Sequence, residues 1–265
     1  MSLPHELFQA GKLSEAVSAA TEVVRNRPSD VNARSVLCEL LCFSGDLVRA
    51  DKQLEAVMQI KADSAVGVSL IRHLIRSEMC RREVFDQGRV PEFLTQPTES
   101  QQLRLQALMA LRENDSATAA KLIGEAAKQE PDLCGSCNDQ PFEGFCDLDD
   151  LLGPMIEVFT ATGQYYWLSA EQIVSLEFSG ISHLTDMLWR AAEIVTVGDV
   201  SGRVHVPALY HNSHLAEDER VRIGRASEWL NADTGGPIRG AGQREWLIGE
   251  DVHTITEIKL LTFRQ

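Results

Sequence analysis

Gly11-Lys12-Leu13-Ser14-Glu15-Ala16 and, thirty-four residues later, Gly45-Asp46-Leu47-Val48-Arg49-Ala50 decide the first half of this 265-residue chain. Each stretch opens on a glycine and closes on an alanine five positions on. Such a glycine lets two antiparallel helices approach at their turn, and the small alanine keeps the second axis close to the first. In the same frame Pro28 stands where a helix must end, with Ala62 in its place in the second copy. A later copy places Asn114 in the glycine slot, Ala119 five residues on, and Pro131 in the proline slot. Between these copies, from about Ser64 to Arg89, apolar residues at Val68, Ile71, Leu74, Ile75 and Met79 predict one long helix with a divergent end.

A period of 34 residues is that of the tetratricopeptide helical hairpin. Ser14, Ser29-Asp30 and Thr98 or Ser100 supply helix-starting side chains at the expected places. Apolar stripes such as Val17, Ala20, Val23 and Val24 cannot be buried within one hairpin, so neighbouring hairpins must stack. An ordinary helical bundle is the alternative. The expected fold is an α/α superhelix of tetratricopeptide-like repeats over residues 1–131, followed by a smaller, mainly antiparallel α+β unit over 132–265.

Composition narrows the function. The opening Met1-Ser2-Leu3-Pro4-His5-Glu6 has no basic segment followed by an apolar core, and no apolar run approaches the roughly 20 residues that span a bilayer. A cytoplasmic protein with reduced thiols is expected from six cysteines in that setting. The net charge of −14 falls mostly on the second half, and no Lys or Arg lies between Lys128 and Arg190. An acidic surface there would repel phosphate backbones, which argues against nucleic acid. The one basic concentration, Arg72, His73, Arg76, Arg81 and Arg82, reads as a solvated helix surface.

Past Pro131 the pattern changes. Residues 134–144 read as a loop, Asp147 as the cap of a short helix running to about Thr160, and Ser182–Trp189 as a helical turn. Gln172–Phe178, Ala192–Val197, Arg203–Tyr210 and Val252–Phe263 read as strands. The four tryptophans of this half serve as core. Sharper chemistry does not assemble. Cys134-Gly135-Ser136-Cys137 is half of a zinc or redox motif, with Cys146, His205, His211 and His214 as unconnected candidate partners. Ser213 and Asp218 beside those histidines lack a strained nucleophile turn. Gly235 to Gly242 lacks the Lys-Ser or Lys-Thr of a phosphate loop and reads as a hairpin loop, and Asp149-Asp150 read as helix-terminal charges. No catalytic residue, metal or cofactor is therefore expected.

One resemblance is specific. Phe142-Glu143-Gly144-Phe145, Asp147-Leu148-Asp149, Leu152-Gly153-Pro154-Met155-Ile156-Glu157-Val158 and Gly163-Gln164-Tyr165-Tyr166-Trp167-Leu168 occur in order. Leu184-Thr185-Asp186-Met187-Leu188-Trp189-Arg190, Val206-Pro207-Ala208-Leu209-Tyr210 and Gly240-Ala241-Gly242-Gln243-Arg244 complete the set. Together they resemble the ImpE family, also called TagJ, of type VI secretion accessory proteins. The resemblance implies a non-catalytic adaptor that binds the amino-terminal helix of the small sheath subunit, TssB or VipA, with a proposed link to the disassembly ATPase ClpV. Stacked hairpins offer a concave face that suits such a helix. In the repeat frame its lining is Asn32, Ser35, Glu39 and Cys42, then Gln101, Arg104, Leu108 and Arg112, with His5 and Phe8 at the edge. Glu39, Arg104 and Arg112 would steer, and Phe8 and Leu108 would give apolar contact. Alternatively these side chains meet plain solvent or are covered by the second half. A general assembly chaperone or, less favoured, a metal-dependent enzyme are the competing functions.

Overall fold

A computed structural model of the chain describes residues 3–61, 63, 65–231 and 235–264. The expectations at Met1, Ser2, Ala62 and Ser64 lie outside these residues. The repeat reading holds in detail. Hairpins form from α1 (Leu3–Gln9) with α2 (Leu13–Asn26), α3 (Val31–Phe43) with α4 (Leu47–Ile60), and α6 (Glu99–Arg112) with α7 (Ser116–Ala127). Gly11, Gly45 and Asn114 turn the chain at φ 80°, 81° and 61°, a left-handed conformation that glycine adopts freely and asparagine tolerates. Ala16, Ala50 and Ala119 are each 0% exposed at the helix contacts.

Asp30, Asp46 and Asp115 cap α3, α4 and α7 by accepting from the amides of Ala33, Arg49 and Thr118. Thr98 forms a reciprocal box with Gln101 at the start of α6. Ser14 is not a cap: α2 begins one residue earlier, and the Ser14 hydroxyl goes to Glu219 in the second half. The middle unit is the expected long helix, α5 (Ala65–Arg82), closed by a π-helical turn at Glu83–Gln87.

The second half is built on an antiparallel eight-stranded sheet in the order β2-β1-β13-β6-β7-β8-β4-β5. These are β1 (Cys134–Cys137), β2 (Gln140–Glu143), β4 (Met155–Thr160), β5 (Tyr165–Ser169), β6 (Ile173–Phe178), β7 (Trp189–Thr196), β8 (Ser201–Pro207) and β13 (Leu260–Phe263). Two corrections concern its start. Residues 134–144 are a hairpin, because Asn138 and Asp139 both take positive φ and so form the two-residue turn that matches strand twist. The helix expected from Asp147 is absent. Phe145–Asp147 is β3, Asp147 and Asp149 accept from amides two residues on, and the turn delivers the chain into β4.

Smaller pieces flank the sheet. β3 pairs with β11 (Glu245–Ile248), which pairs with β12 (Asp251–Thr254), while β9 (Ser227–Leu230) pairs with β10 (Arg239–Gly242). The strand expected over Val252–Phe263 is thus two strands, with Glu257 accepting from Thr254 at the corner between them. Short 3₁₀ turns at Ala170–Gln172, Leu184–Met187 and Ser213–Leu215 and the single-turn α8 (Glu219–Arg222) are the helical elements among the described residues of this half.

The halves share a core. One buried cluster joins Phe8, Leu41, Phe43 and Leu108 of the helices to Leu151, Phe159, Trp167 and Tyr210 of the sheet half. A second, around Phe145, Trp246, Leu176 and Leu261, lies within the sheet half alone. The helical array therefore wraps the sheet, with α2 against α8, α5 against β4 and β5, and α6 reaching the Asp150–Leu151 turn.

Candidate functional site

Burial decides which of the sequence-derived positions a partner can reach. Phe8 packs against Phe43 with its ring tilted, at 0% exposure. Cys42 is buried beneath the hairpin. On α6 the Gln101 amide donates to the Trp167 carbonyl, Arg104 donates to the carbonyls of Asp150 and Leu151 at 2.7 and 2.9 Å, and Leu108 is buried. These five positions lie in the interior, packed on neighbouring helices and the chain's own second half, which is the alternative the sequence left open. Arg112 is half-buried and donates to the Val84 carbonyl, tying α6 to the π-helical turn. His5 is half-buried on α1 and Asn32 is exposed; Asn32 borders a small apolar hollow with Pro4, Val23 and Val36.

Ser35 and Glu39 have a different setting. They face a cavity of about 660 Å³ bounded by α3, α4 and α5 on one side and by the 179–191 segment and β8 on the other. Its floor is apolar, from Leu54, Val57, Val68, Ile71, Leu74 and Trp189. A second cavity of about 610 Å³ continues along α5 past Val66, Ser69 and His73 to Ala161. Leu70, Arg203 and His205 line both, so the two form one open groove running beside α5. Sequence reasoning placed the apolar stripe on α5 but missed Arg203 and His205 as its opposite wall. A strand pattern shows that alternate residues share a face, not what that face meets.

Buried charge ties this junction together. Arg81 of α5 makes a two-pronged contact to Glu157 of β4 at 2.7 and 3.0 Å, and Arg244 binds the same carboxylate. Tyr165 donates to Glu157, and Trp167 to the Tyr165 oxygen. Arg244 also lies 3.3 Å from Asp147, and Arg239 clasps Asp149. Asp147, Asp149 and Glu157 are therefore interior ion-pair partners, which corrects the reading of Asp149 as a helix-end charge and takes three carboxylates out of the acidic surface expected of this half. Arg81 is likewise not solvated, at 2% exposure. Arg72 pairs with Asp51, Arg82 donates to the Gly45 carbonyl, and His73 contacts the Ala161 carbonyl.

Groove electrostatics follow from partial burial. Burial raises the Glu39 carboxyl to about 7, with His183 opposing and Asp186 reinforcing the shift. Burial, helped by Arg203, lowers His205 to about 4, so its ring is neutral at pH 7. A carboxyl whose folded value exceeds its unfolded one weakens the fold when ionised. Its penalty is complete above about pH 7 and absent below about 4.5. Glu39→Gln is therefore expected to stabilise the protein by about 2 kcal/mol at pH 8, with the gain vanishing at pH 4. Urea titrations at the two pH values check it, and an equal effect at both would contradict it.

Other candidate chemistries disperse. Cys134 and Cys137, three apart on a strand, point to opposite faces with Cα atoms about 10 Å apart, too far for a disulfide. His211 stacks on Phe85 and contacts Asp86 at 2.9 Å, while His214 sits against Gly45 and His205 lies in the groove. Ser213 donates to the Tyr210 carbonyl and accepts from the Gly242 amide, while Asp218 caps α8. Gly240 and Gly242 belong to the buried strand β10. Among the described residues, no three His, Cys, Asp or Glu side chains converge as a metal cage, and no helix is long and apolar enough to cross a membrane.

Comparison with known proteins fits this architecture. A crystal structure of a Vibrio parahaemolyticus protein superposes with a TM-score of 0.92 at 26% identity, covering 100% of this chain and 98% of that one. The type VI secretion system accessory component TagJ of Pseudomonas aeruginosa is 33% identical over 261 residues, spanning 98% of this chain and 91% of that protein. The family model described as ImpE protein matches residues 139–262, the stretch that supplies Glu157, Arg244 and the groove wall at β8. Aligned with such a relative almost from end to end, and carrying the ImpE pattern through its strands, this chain belongs to the ImpE/TagJ family of type VI secretion accessory proteins.

Proposed function

We propose that this protein is a cytoplasmic, non-catalytic adaptor of the type VI secretion system that holds the amino-terminal helix of the small sheath subunit, TssB or VipA, in the groove beside α5. Residues 1–131 and 132–265 act in it as one body. The observation that carries the reading is the groove itself: an apolar floor with a polar rim, open along α5, where the sheet half stands away from α3 and leaves Ser35 and Glu39 facing the opening. An amphipathic helix buries its apolar stripe in such a site and leaves its polar face in water. Holding that helix would modulate sheath assembly or ClpV-driven disassembly.

Gly67 gives a clean test. It lines the groove, is exposed, and a Cβ built on it meets no atom within 4 Å. Gly67→Trp should therefore fold normally and obstruct the groove, whereas Gly67→Ala should leave it open and add up to about 1 kcal/mol of helix stability. Calorimetric titration of the full chain with a peptide of the sheath-subunit helix should show binding. Gly67→Trp should weaken it at least about tenfold, or about 1.4 kcal/mol, and Gly67→Ala should not. Absence of binding, or indifference to tryptophan, would overturn the reading.

A further inference from the structure

The carboxylates of the groove gather at one end. Glu39, Asp63 and Asp186, with His183 among them, line the section against α3, whereas His73 lines the far section and Arg203 stands where the two meet. Asp186 is held in place by the amides of Ser182 and His183, each donating at 2.8 Å. At the junction His205 is 4% exposed, and its Nδ1 has no hydrogen-bond partner among the described residues. A buried polar atom of this kind is stabilised when a bound group completes its hydrogen bond.

We infer that the groove sets the direction of its occupant. Resting on the adaptor reading above, a bound helix lies with its amino-terminal turn and a basic side chain over Glu39 and Asp186. Its carboxy-terminal turn points toward His73, and a mid-helix hydroxyl or amide reaches His205. The argument is complementarity. A helix carries partial positive charge at its amino terminus and partial negative charge at its carboxy terminus, each favoured beside an opposite charge within about one turn. The reverse orientation sets the partial negative charge of the carboxy-terminal turn against the carboxylates of the acidic section in a partly desolvated groove.

The test uses the full chain and a peptide of the sheath-subunit helix bearing a nitroxide at one end or the other. Trp189 lines the acidic section, so its indole N–H resonance reports on that end. An amino-terminal nitroxide should broaden the Trp189 signal, and a carboxy-terminal one should leave it sharp. In parallel, at pH 8, where the Glu39 carboxyl is mostly ionised, Glu39→Gln should weaken the peptide about threefold, and a peptide whose first-turn basic residue is replaced by glutamine should be insensitive to that change. Broadening from the carboxy-terminal label, or equal broadening from both, overturns the inferred direction while leaving the groove as the binding site. Failure of every peptide to bind removes the adaptor reading and this inference together.

Discussion

Replacing Glu157 with glutamine is expected to cost about 3–5 kcal/mol of folding stability, the penalty for leaving buried charge without its partner. Glu157 is 0% exposed and receives guanidinium groups from both halves of the chain, Arg81 from α5 and Arg244 from the sheet half. With a neutral amide in its place these two cations would face one another in the interior. Asp147 offers Arg244 only partial relief, because burial raises that carboxyl to about 7 even against the attraction of Arg244. Burial alone would raise Glu157 as well, but Arg81 and Arg244 prevail and hold it well below the usual carboxylate range.

The sign for pH follows. A depressed folded value contributes stability above the unfolded value of about 4.5, and that contribution is lost as the pH falls further. The gap between wild type and Glu157→Gln should therefore narrow in acid. Guanidinium denaturation monitored by near-ultraviolet dichroism checks both points; a loss below about 1 kcal/mol at pH 7 would contradict them. Replacing Arg81→Met, Glu157→Leu and Arg244→Met together should recover part of the loss, since apolar groups of similar volume need no counter-charge, the remainder reflecting Asp147, which loses Arg244 beside it.

Gly45→Ala is expected to destabilise the protein by about 2–4 kcal/mol, against about 1 kcal/mol for Gly11→Ala. Both turns sit at positive φ, so both alanines incur the backbone cost. They differ in surroundings. A Cβ on Gly11 meets only Arg220 Cγ at 3.9 Å, whereas one on Gly45 falls 2.1 Å from His214 Cδ2. Arg82 also donates to the Gly45 carbonyl at 2.9 Å. The repeat turn is thus a contact point for the sheet half as well as a bend. Combining Gly45→Ala with His214→Ala should return the loss toward that of Gly11→Ala in thermal melts. No recovery would place the cost in the backbone alone.

The helical half was legible because its signals are local. A turn residue, a capping aspartate and a small contact residue recur within five positions, and each acts through its immediate neighbours. At 134–160 local signals competed. Asn138-Asp139 carried a hairpin signal that the surrounding glycine and proline obscured, and Asp147 with Asp149 resembles a helix start as closely as the turn it forms. The site was less legible because its contacts are remote. Arg81 resembled a solvated charge until β4 brought Glu157 to it, and Arg104 resembled a recognition residue until the Asp150–Leu151 turn covered it. Of the expected lining, Ser35 and Glu39 reach the groove because the loop between β6 and β7 stands off from α3 there.

The shared core also orders events during synthesis. Helices leave the ribosome ahead of the strands that will cover them, so the α6 face with Gln101, Arg104 and Leu108 stays wet until residue 167 has emerged and β5 can dock. A nascent chain paused in that interval presents bare apolar surface to its surroundings and invites misassembly. Translation speed across residues 113–167 therefore sets how long each new molecule is exposed to that hazard.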